Sequence, residues 1–184
     1  MNKRVLVPIA DGTEELEAVS IIDTLRRAGV EVTVASVDKQ QVTASRGTKI
    51  ISDATIKDCV NQTYDLIVLP GGMPGAEHLR DSAELTKMLV EQKQTGRLYA
   101  AICAAPAVVL QHHGLLENIK ATCHPSFQSR LEPACLSRER VVVDGKCVTS
   151  QGAGTALEFS LKLVEMLFGS DKKREVARGM VATL

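Results

Sequence analysis

Net charge is the first thing this sequence lacks. Lysine plus arginine and aspartate plus glutamate number 22 each, so no field of one sign draws the chain to nucleic acid or to an anionic membrane surface. A long apolar run is missing as well. No stretch reaches the roughly 20 residues of a membrane span, which excludes a spanning helix. Cysteine pairing is the third absence. Cys59, Cys103, Cys123, Cys135 and Cys147 form an odd set without Cys-x-x-Cys spacing. That argues against a disulfide framework or a zinc site, and for reduced thiols in a cytoplasmic protein. The start, Met1-Asn2-Lys3-Arg4 and a short apolar-leaning run before Asp11, is too short for a signal peptide and reads as a first strand. No linker, repeat or low-complexity segment interrupts the 184 residues. One domain over 1–184 is therefore expected, long enough to bury about 70% of the surface of its unfolded chain.

What the sequence does contain is organised around Leu98-Tyr99-Ala100-Ala101-Ile102-Cys103-Ala104-Ala105-Pro106-Ala107. The first half reads as a buried parallel strand and the second as the start of a helix, so Cys103 falls between them. Ligand sites of open α/β sheets lie at strand ends, and a helix N-terminus favours an anion. A thiol so placed can drop from a pKa of about 8.5 into the range of roughly 3.5–7.5. The alternative is a small buried hydrophobe, the common fate of a free cysteine.

Around this stretch, strands and helices alternate. Arg4–Ile9 and Val30–Ser36 read as buried strands. Between them lies a helix that Thr13 caps and Gly29 ends, with Leu16, Val19, Ile22 and either Ile21 or Leu25 inward. Residues 42–52 read as a hairpin or a pair of edge strands, and 53–58 as a short helical turn or loop. Tyr64–Pro70 is another buried strand, ending in Gly71-Gly72, where consecutive glycines let backbone N–H groups turn toward a ligand. Residues 82–95 form an amphipathic helix with Leu85, Met88 and Leu89 inward. Residues 140–149 form a hairpin, with Asp144-Gly145 suited to a two-residue type I′ turn. Two helices close the chain, the first with an apolar stripe of Leu157, Leu161, Val164 and Leu167. The fold class that results is α/β: a three-layer flavodoxin-like sandwich, Rossmann-type, with a mostly parallel sheet and an added β-hairpin.

Three residues just past predicted strand ends can meet at the sheet's carboxyl edge: Glu17, Cys103 and His124. A cysteine nucleophile needs a partner for its proton and donors for a developing oxyanion. Glu17 either supplies that partner, with its pKa raised by desolvation, or serves the helix dipole in water. Glu14 and Glu15 fit the dipole role better. His124 is either an acid/base or a loop filler. The N–H groups of Gly72 and Ala104 are the natural oxyanion donors, with Gly71 beside them. Cys123 either lines the site or packs, and Cys59, Cys135 and Cys147 read as packing or surface thiols.

These motifs, Ala10-Asp11-Gly12-Thr13-Glu14-Glu15-Leu16-Glu17, Leu69-Pro70-Gly71-Gly72, Ala100 to Pro106 and Thr149 to Thr155, together resemble the DJ-1/ThiJ/PfpI superfamily, its DJ-1/YajL-like branch above all. The resemblance runs nearly the length of the chain. It implies a homodimer and a reactive cysteine, Cys103, that oxidises readily to sulfinate, with Glu17 as the interacting glutamate and His124 as the site histidine. Arg46 matches a family arginine at the dimer-side opening, where it would hold an anion or a subunit contact. Gln151 and Ala153 depart from the arginine and proline of the DJ-1 pattern. The Pro125-Ser126 pair after His124 departs from the His-x-Glu of related amidotransferases. The activity the resemblance implies is that of a cofactor-free cysteine enzyme on methylglyoxal or glyoxal (glyoxalase III-type), or on their protein and nucleotide adducts (deglycase). The other class is a redox-sensing chaperone for misfolded clients, with Cys103 as its sensor. A peptidase lacks a third triad member. No cofactor, metal, membrane or specific nucleic-acid partner is expected.

Overall fold

The computed structural model describes residues 3–183; the Met1-Asn2 start and Leu184 of the expected 1–184 domain lie outside them. β1 (Arg4–Ile9) sends Val5, Val7 and Ile9 into one buried cluster and Leu6 into another, as a strand covered on both faces must. The chain turns at Ala10–Gly12 into α1 (Glu15–Arg27) and returns parallel to β1 as β2 (Glu31–Ser36). β3 (Gln41–Thr43) and β4 (Lys49–Ile51) make a separate antiparallel hairpin. The short β5 (Ala54–Thr55) joins the sheet edge beside β2 and leads into α2 (Ile56–Cys59). β6 (Leu66–Leu69) and β7 (Leu98–Ile102) are buried throughout, and α3 (Gly75–Asp81) and α4 (Ala83–Gln94) connect them. β8 (Val141–Asp144), β9 (Cys147–Ser150), α5 (Ala156–Phe168) and α6 (Ser170–Gly179) complete the order.

The main sheet runs β5-β2-β1-β6-β7-β9-β8, parallel except where β8 meets β9. Helices α1, α5 and α6 cover one face and pack Ile21, Leu25, Phe159 and Val164 against it. On the other face α2, α3, α4 and residues 105–110 pack Ile56, Leu79, Leu85, Leu89 and Val109. This is the three-layer flavodoxin-like sandwich. Among the described residues no helix is long and apolar enough to cross a membrane.

Several local expectations give way to tertiary packing. Leu16 and Val19 are each 52% exposed, whereas Ile21 and Leu25 are buried as expected and Glu17, Ala18 and Thr24 are buried with them. That row also has helical spacing, and the small Ala18 and Thr24 let the helix lie close to the sheet. Thr13 does not cap α1. Its Oγ1 accepts from the Ala10 N–H at 2.9 Å and braces the preceding turn. Leu157 is 39% exposed, while Leu161 and Val164 are buried as expected. Asp144 pairs directly with Cys147, so the hairpin loop is Gly145-Lys146, and only Gly145 has positive φ. A type I′ turn needs both central residues there, so the expected turn does not form.

Candidate active site

At the carboxyl edge, β7 ends at Ile102, and Cys103 turns out of the sheet with φ of 65°. A non-glycine residue in that region carries strain that its surroundings must hold. Two neighbours do so. The Cys103 N–H donates to the Ser150 carbonyl at 3.0 Å, and the His124 N–H donates to the Cys103 carbonyl at 2.8 Å. The end of β9 and the segment before His124 therefore clamp the elbow from both sides.

Gly71 and Gly72 approach from β6. A Cβ on Gly71 would stand 2.5 Å from the Cys103 Cβ and 3.0 Å from Glu17 Oε2. Only glycine lets this backbone pass so near both groups. Gly72, at φ of 90°, is equally confined; a Cβ there would lie 2.4 Å from the Glu14 nitrogen and the Gly12 carbonyl oxygen.

Glu17 has no exposed surface. Its Oε2 accepts from the Gly71 N–H at 2.8 Å, whereas Oε1 is buried without a hydrogen-bond partner. Burial pushes its pKa up to about 7, against the lowering by the Gly71 N–H and the Cys103 thiol. The expected depression of the Cys103 pKa is not what these surroundings give. Burial, with the charge of Glu17 beside it, pushes the thiol up to about 12, although the N–H groups of Gly72 and Ala104 oppose this. Residues Pro106–Gln111, just beyond the cysteine, wind as a π-helix. Cys103 and Glu17 are best treated as one unit. Moving the proton from sulfur to Glu17 makes a thiolate without changing the charge of the pair.

His124 begins a 3₁₀ turn over Pro125–Arg130, and its Nδ1 accepts from the Ser126 N–H at 3.2 Å. That bond leaves the proton of the neutral ring on Nε2, making the site-facing edge a donor. Cys103, Glu17 and His124 do come together, around Gly152. A Cβ on that glycine would lie 3.5 Å from His124 Cδ2 and 4.0 Å from both Cys103 Sγ and Glu17 Oε1.

The sulfur opens onto a cavity of about 260 Å³ lined by Glu14, Ser45, Arg46, Gly72, Met73, Cys103, Ala104, His124 and Phe127. Arg46 lines this cavity. Glu14, Ser45, Met73 and Phe127 are additions to the sequence reading; the only sequence signal for them is Ser45 beside Arg46. Glu15 also departs from a plain dipole role. Its carboxylate accepts from the N–H of Arg46, at 3.0 Å to each oxygen, and from Ser45 Oγ at 3.0 Å. Although burial opposes it, its own backbone N–H and then these donors hold Glu15 at about 2. Glu15 thus fastens the β3–β4 loop against α1. Cys123 is fully buried and does not line the cavity; Cys59, Cys135 and Cys147 are buried packing thiols.

A parallel sheet whose carboxyl edge carries a cysteine at positive φ, backed by a buried carboxyl, defines a cysteine-elbow α/β protein. The chain belongs to the DJ-1/PfpI family, whose model matches residues 3–166. Protein DJ-1 homolog B of Arabidopsis thaliana is 50% identical over 182 residues, 98% of this chain and 42% of that protein. The chain thus spans less than half the length of that relative and of its homolog A, where the share is 46%. A Caenorhabditis elegans protein named glutathione-independent glyoxalase DJR-1.2 is 35% identical over 176 residues, 95% of this chain and 92% of that one. The solved structure of oxidized Toxoplasma gondii DJ-1 superposes with a TM-score of 0.98 at 51% identity, covering 99% of this chain and 100% of that one.

Proposed function

We propose that this chain is a cofactor-independent cysteine enzyme acting on small α-oxoaldehydes such as methylglyoxal and glyoxal, or on their adducts with protein and nucleotide amines. The observation that carries this reading is a half-buried thiol set against a fully buried carboxyl with one unpartnered oxygen. Glu17 takes the thiol proton, and the sulfur adds to the aldehyde carbon. The C=O electron pair moves to oxygen, which recovers the proton from Glu17, and a hemithioacetal results. The N–H groups of Gly72 and Ala104 stabilise the charge as it passes from sulfur to oxygen. Glu17 then removes the proton from the carbon bearing sulfur and returns one to its neighbour, giving the thioester of a hydroxy acid. Water cleaves the thioester, releasing lactate from methylglyoxal and restoring the thiol. With a hemiaminal adduct, sulfur displaces the amine and enters the same sequence.

A carboxyl of pKa about 7 suits both removal and return of a proton near neutral pH. The name of the C. elegans relative supports the substrate class. The reading is of a single-domain homodimer working in the cytoplasm under carbonyl and oxidative stress. Leu16 and Val19 on α1 and Ile51 on β4, 73% exposed, are among the apolar side chains available to a second copy. The test is lactate formation from methylglyoxal without glutathione, by wild type and Cys103→Ser. Turnover lost in the variant supports the reading, and turnover retained there ends it.

A second reading, a redox sensor with chaperone clients, is favoured by the same accessible sulfur and by the oxidized form of the T. gondii protein. Each of two peroxide equivalents would transfer one oxygen to the Cys103 thiolate and leave as water, reaching sulfinate. Graded peroxide followed by peptide mass spectrometry tests it. A gain of two oxygens confined to Cys103, with altered client binding, supports the sensor; indiscriminate oxidation of all thiols counts against it.

A further inference from the structure

Met73 and Phe127 line the cavity onto which Cys103 opens, and nothing in the chemistry above uses either of them. Met73 is 37% exposed, yet its backbone is fixed. The Glu14 N–H donates to the Gly71 carbonyl and the Ala76 N–H to the Gly72 carbonyl, both at 2.9 Å. A Cβ on Gly75 would stand 2.5 Å from the Thr13 nitrogen, so the loop is seated as tightly after Met73 as at Gly72 before it. A rigid loop therefore presents an unbranched, polarizable side chain at the opening.

Phe127 is half-buried, and its ring is held by several groups. It packs with Ala76, Ala104 and Val108. The Arg130 guanidinium lies over it, 5.2 Å from the centroid, and the His124 ring meets it edge-on with centroids 6.3 Å apart. Ala104, which lines the same cavity, carries this apolar surface up to the nucleophile. Glu14, Ser45 and Arg46 make another part of the lining polar, and Ser45 Oγ donates to Glu14 Oε2 at 2.7 Å. A cavity divided in this way orients what enters by polarity. Size permits a ring as well. An apolar cavity of about 150 Å³ holds benzene, and this one measures about 260 Å³.

We propose that Met73, Phe127 and Ala104 form an apolar subsite beside Cys103 for a planar hydrocarbon substituent on the substrate. Met73 and Phe127 are then specificity-determining residues that favour aryl-substituted carbonyl compounds over unsubstituted ones. This deepens the enzyme reading above and rests on Cys103 as nucleophile. When the sulfur adds to an aldehyde carbon, the group on the next carbon meets the thioether and the aromatic ring. A flat apolar group is attracted by both, and the thioether adapts to its outline. A charged or strongly hydrated group gains nothing there and loses water. Phenylglyoxal, which yields mandelate, is therefore preferred to glyoxal, which yields glycolate.

The test compares alkylation of Cys103 by N-phenyliodoacetamide and by iodoacetamide, the sulfur displacing iodide in each case, with rates read by peptide mass spectrometry. N-acetylcysteine gives the rate ratio of a free thiol, and a change in thiol reactivity moves both rates together and cancels. Wild type is expected to exceed the free-thiol ratio by about tenfold or more, since even one methylene in an apolar pocket is worth about that much. Met73→Gln, similar in length but polar, should lower the ratio by about threefold or more, whereas the apolar Met73→Leu should keep it. Phe127→Ala should bring it close to the free-thiol value. A wild-type ratio equal to that of N-acetylcysteine, or equal ratios in Met73→Gln and Met73→Leu, overturns the subsite. Assays of mandelate and glycolate formation by the wild type distinguish the subsite from the enzyme. A raised ratio that falls in Met73→Gln, with neither acid formed, leaves the subsite standing and removes the enzyme. Both acids formed with a free-thiol ratio does the reverse.

Discussion

Glu15 and Glu17 sit two residues apart in the first turn of α1, and the protein treats them in opposite ways. The Glu15 carboxylate is met by its own N–H, the Arg46 N–H, Ser45 Oγ and a longer contact from the Thr48 N–H, and is held at about 2. Glu17 receives one backbone N–H, keeps one oxygen unpartnered, and is pushed up to about 7. Sequence position and helix dipole are nearly the same for both. What differs is the supply of donors and the access of water, so those fix the chemistry. A carboxylate saturated with donors fastens a loop; one starved of them is available to carry a proton.

The largest effect expected from breaking this contrast is removal of the thiol that Glu17 serves. Cys103→Ala should leave no measurable lactate formation while the loop fastened by Glu15 stays intact, as hydrogen exchange at Arg46 and Thr48 would report. Next comes Glu17→Gln, which keeps the shape and removes the titration. Proton transfer by a positioned group is worth about 10²–10⁴-fold, and kcat should fall within that span. Stability should move the other way. Because the folded pKa of Glu17 is raised from 4.5 to about 7, its contribution is fully present below pH 4.5 and is lost as pH rises toward 7. That shift corresponds to about 3 kcal/mol. Urea titrations should therefore show Glu17→Gln gaining on wild type by up to that amount between pH 4.5 and pH 8. A constant difference across that range would mean Glu17 is not strained by its charge.

Glu15→Gln tests the opposite member. Its folded pKa is depressed, so its stabilisation is present above pH 4.5 and lost as pH falls toward about 2. The carboxylate is partly solvated, and the discounted loss at pH 7 is about 1–2 kcal/mol. Since Ser45 and Arg46 line the cavity, KM should rise while kcat holds. A fall in kcat with KM unchanged would place Glu15 in the chemistry.

The same contrast shows why some of the molecule is legible in its sequence and some is not. The strands of the sheet carry their signal locally: Leu66–Leu69 and Leu98–Ile102 are short apolar runs, and both are buried throughout. The convergence of Cys103, Glu17 and His124 follows from placing strand ends along one edge. The inner face of α1 follows only in part, because two rows of residues satisfy helical spacing and only the sheet selects Ala18 and Thr24 over Leu16 and Val19. The two-residue β5 has too short a sequence to signal a strand and exists through its pairing with Ala35 and Ser36. The Cys103 pKa escapes a local reading because it depends on burial and on a charge 86 residues away in sequence. Glu15 reads locally as a dipole acid because all but its own N–H among its donors come from a loop 30 residues on.

The smallest effect expected concerns His124, and it sharpens the division of labour around the thiol. Its Nδ1 is occupied by the Ser126 N–H, so the neutral ring presents Nε2–H to the site and can only donate there. A residue in that state stabilises developing negative charge with a single hydrogen bond; it does not abstract a proton. Loss of one such bond costs roughly 1 kcal/mol, and His124→Ala should lower kcat/KM by about tenfold or less. The limb of the pH–rate profile near 7 should survive, because Glu17 carries it. Were the histidine the base, its removal would cost about 10² or more and take that limb with it. The profile of this one variant therefore decides which of the two residues moves the proton.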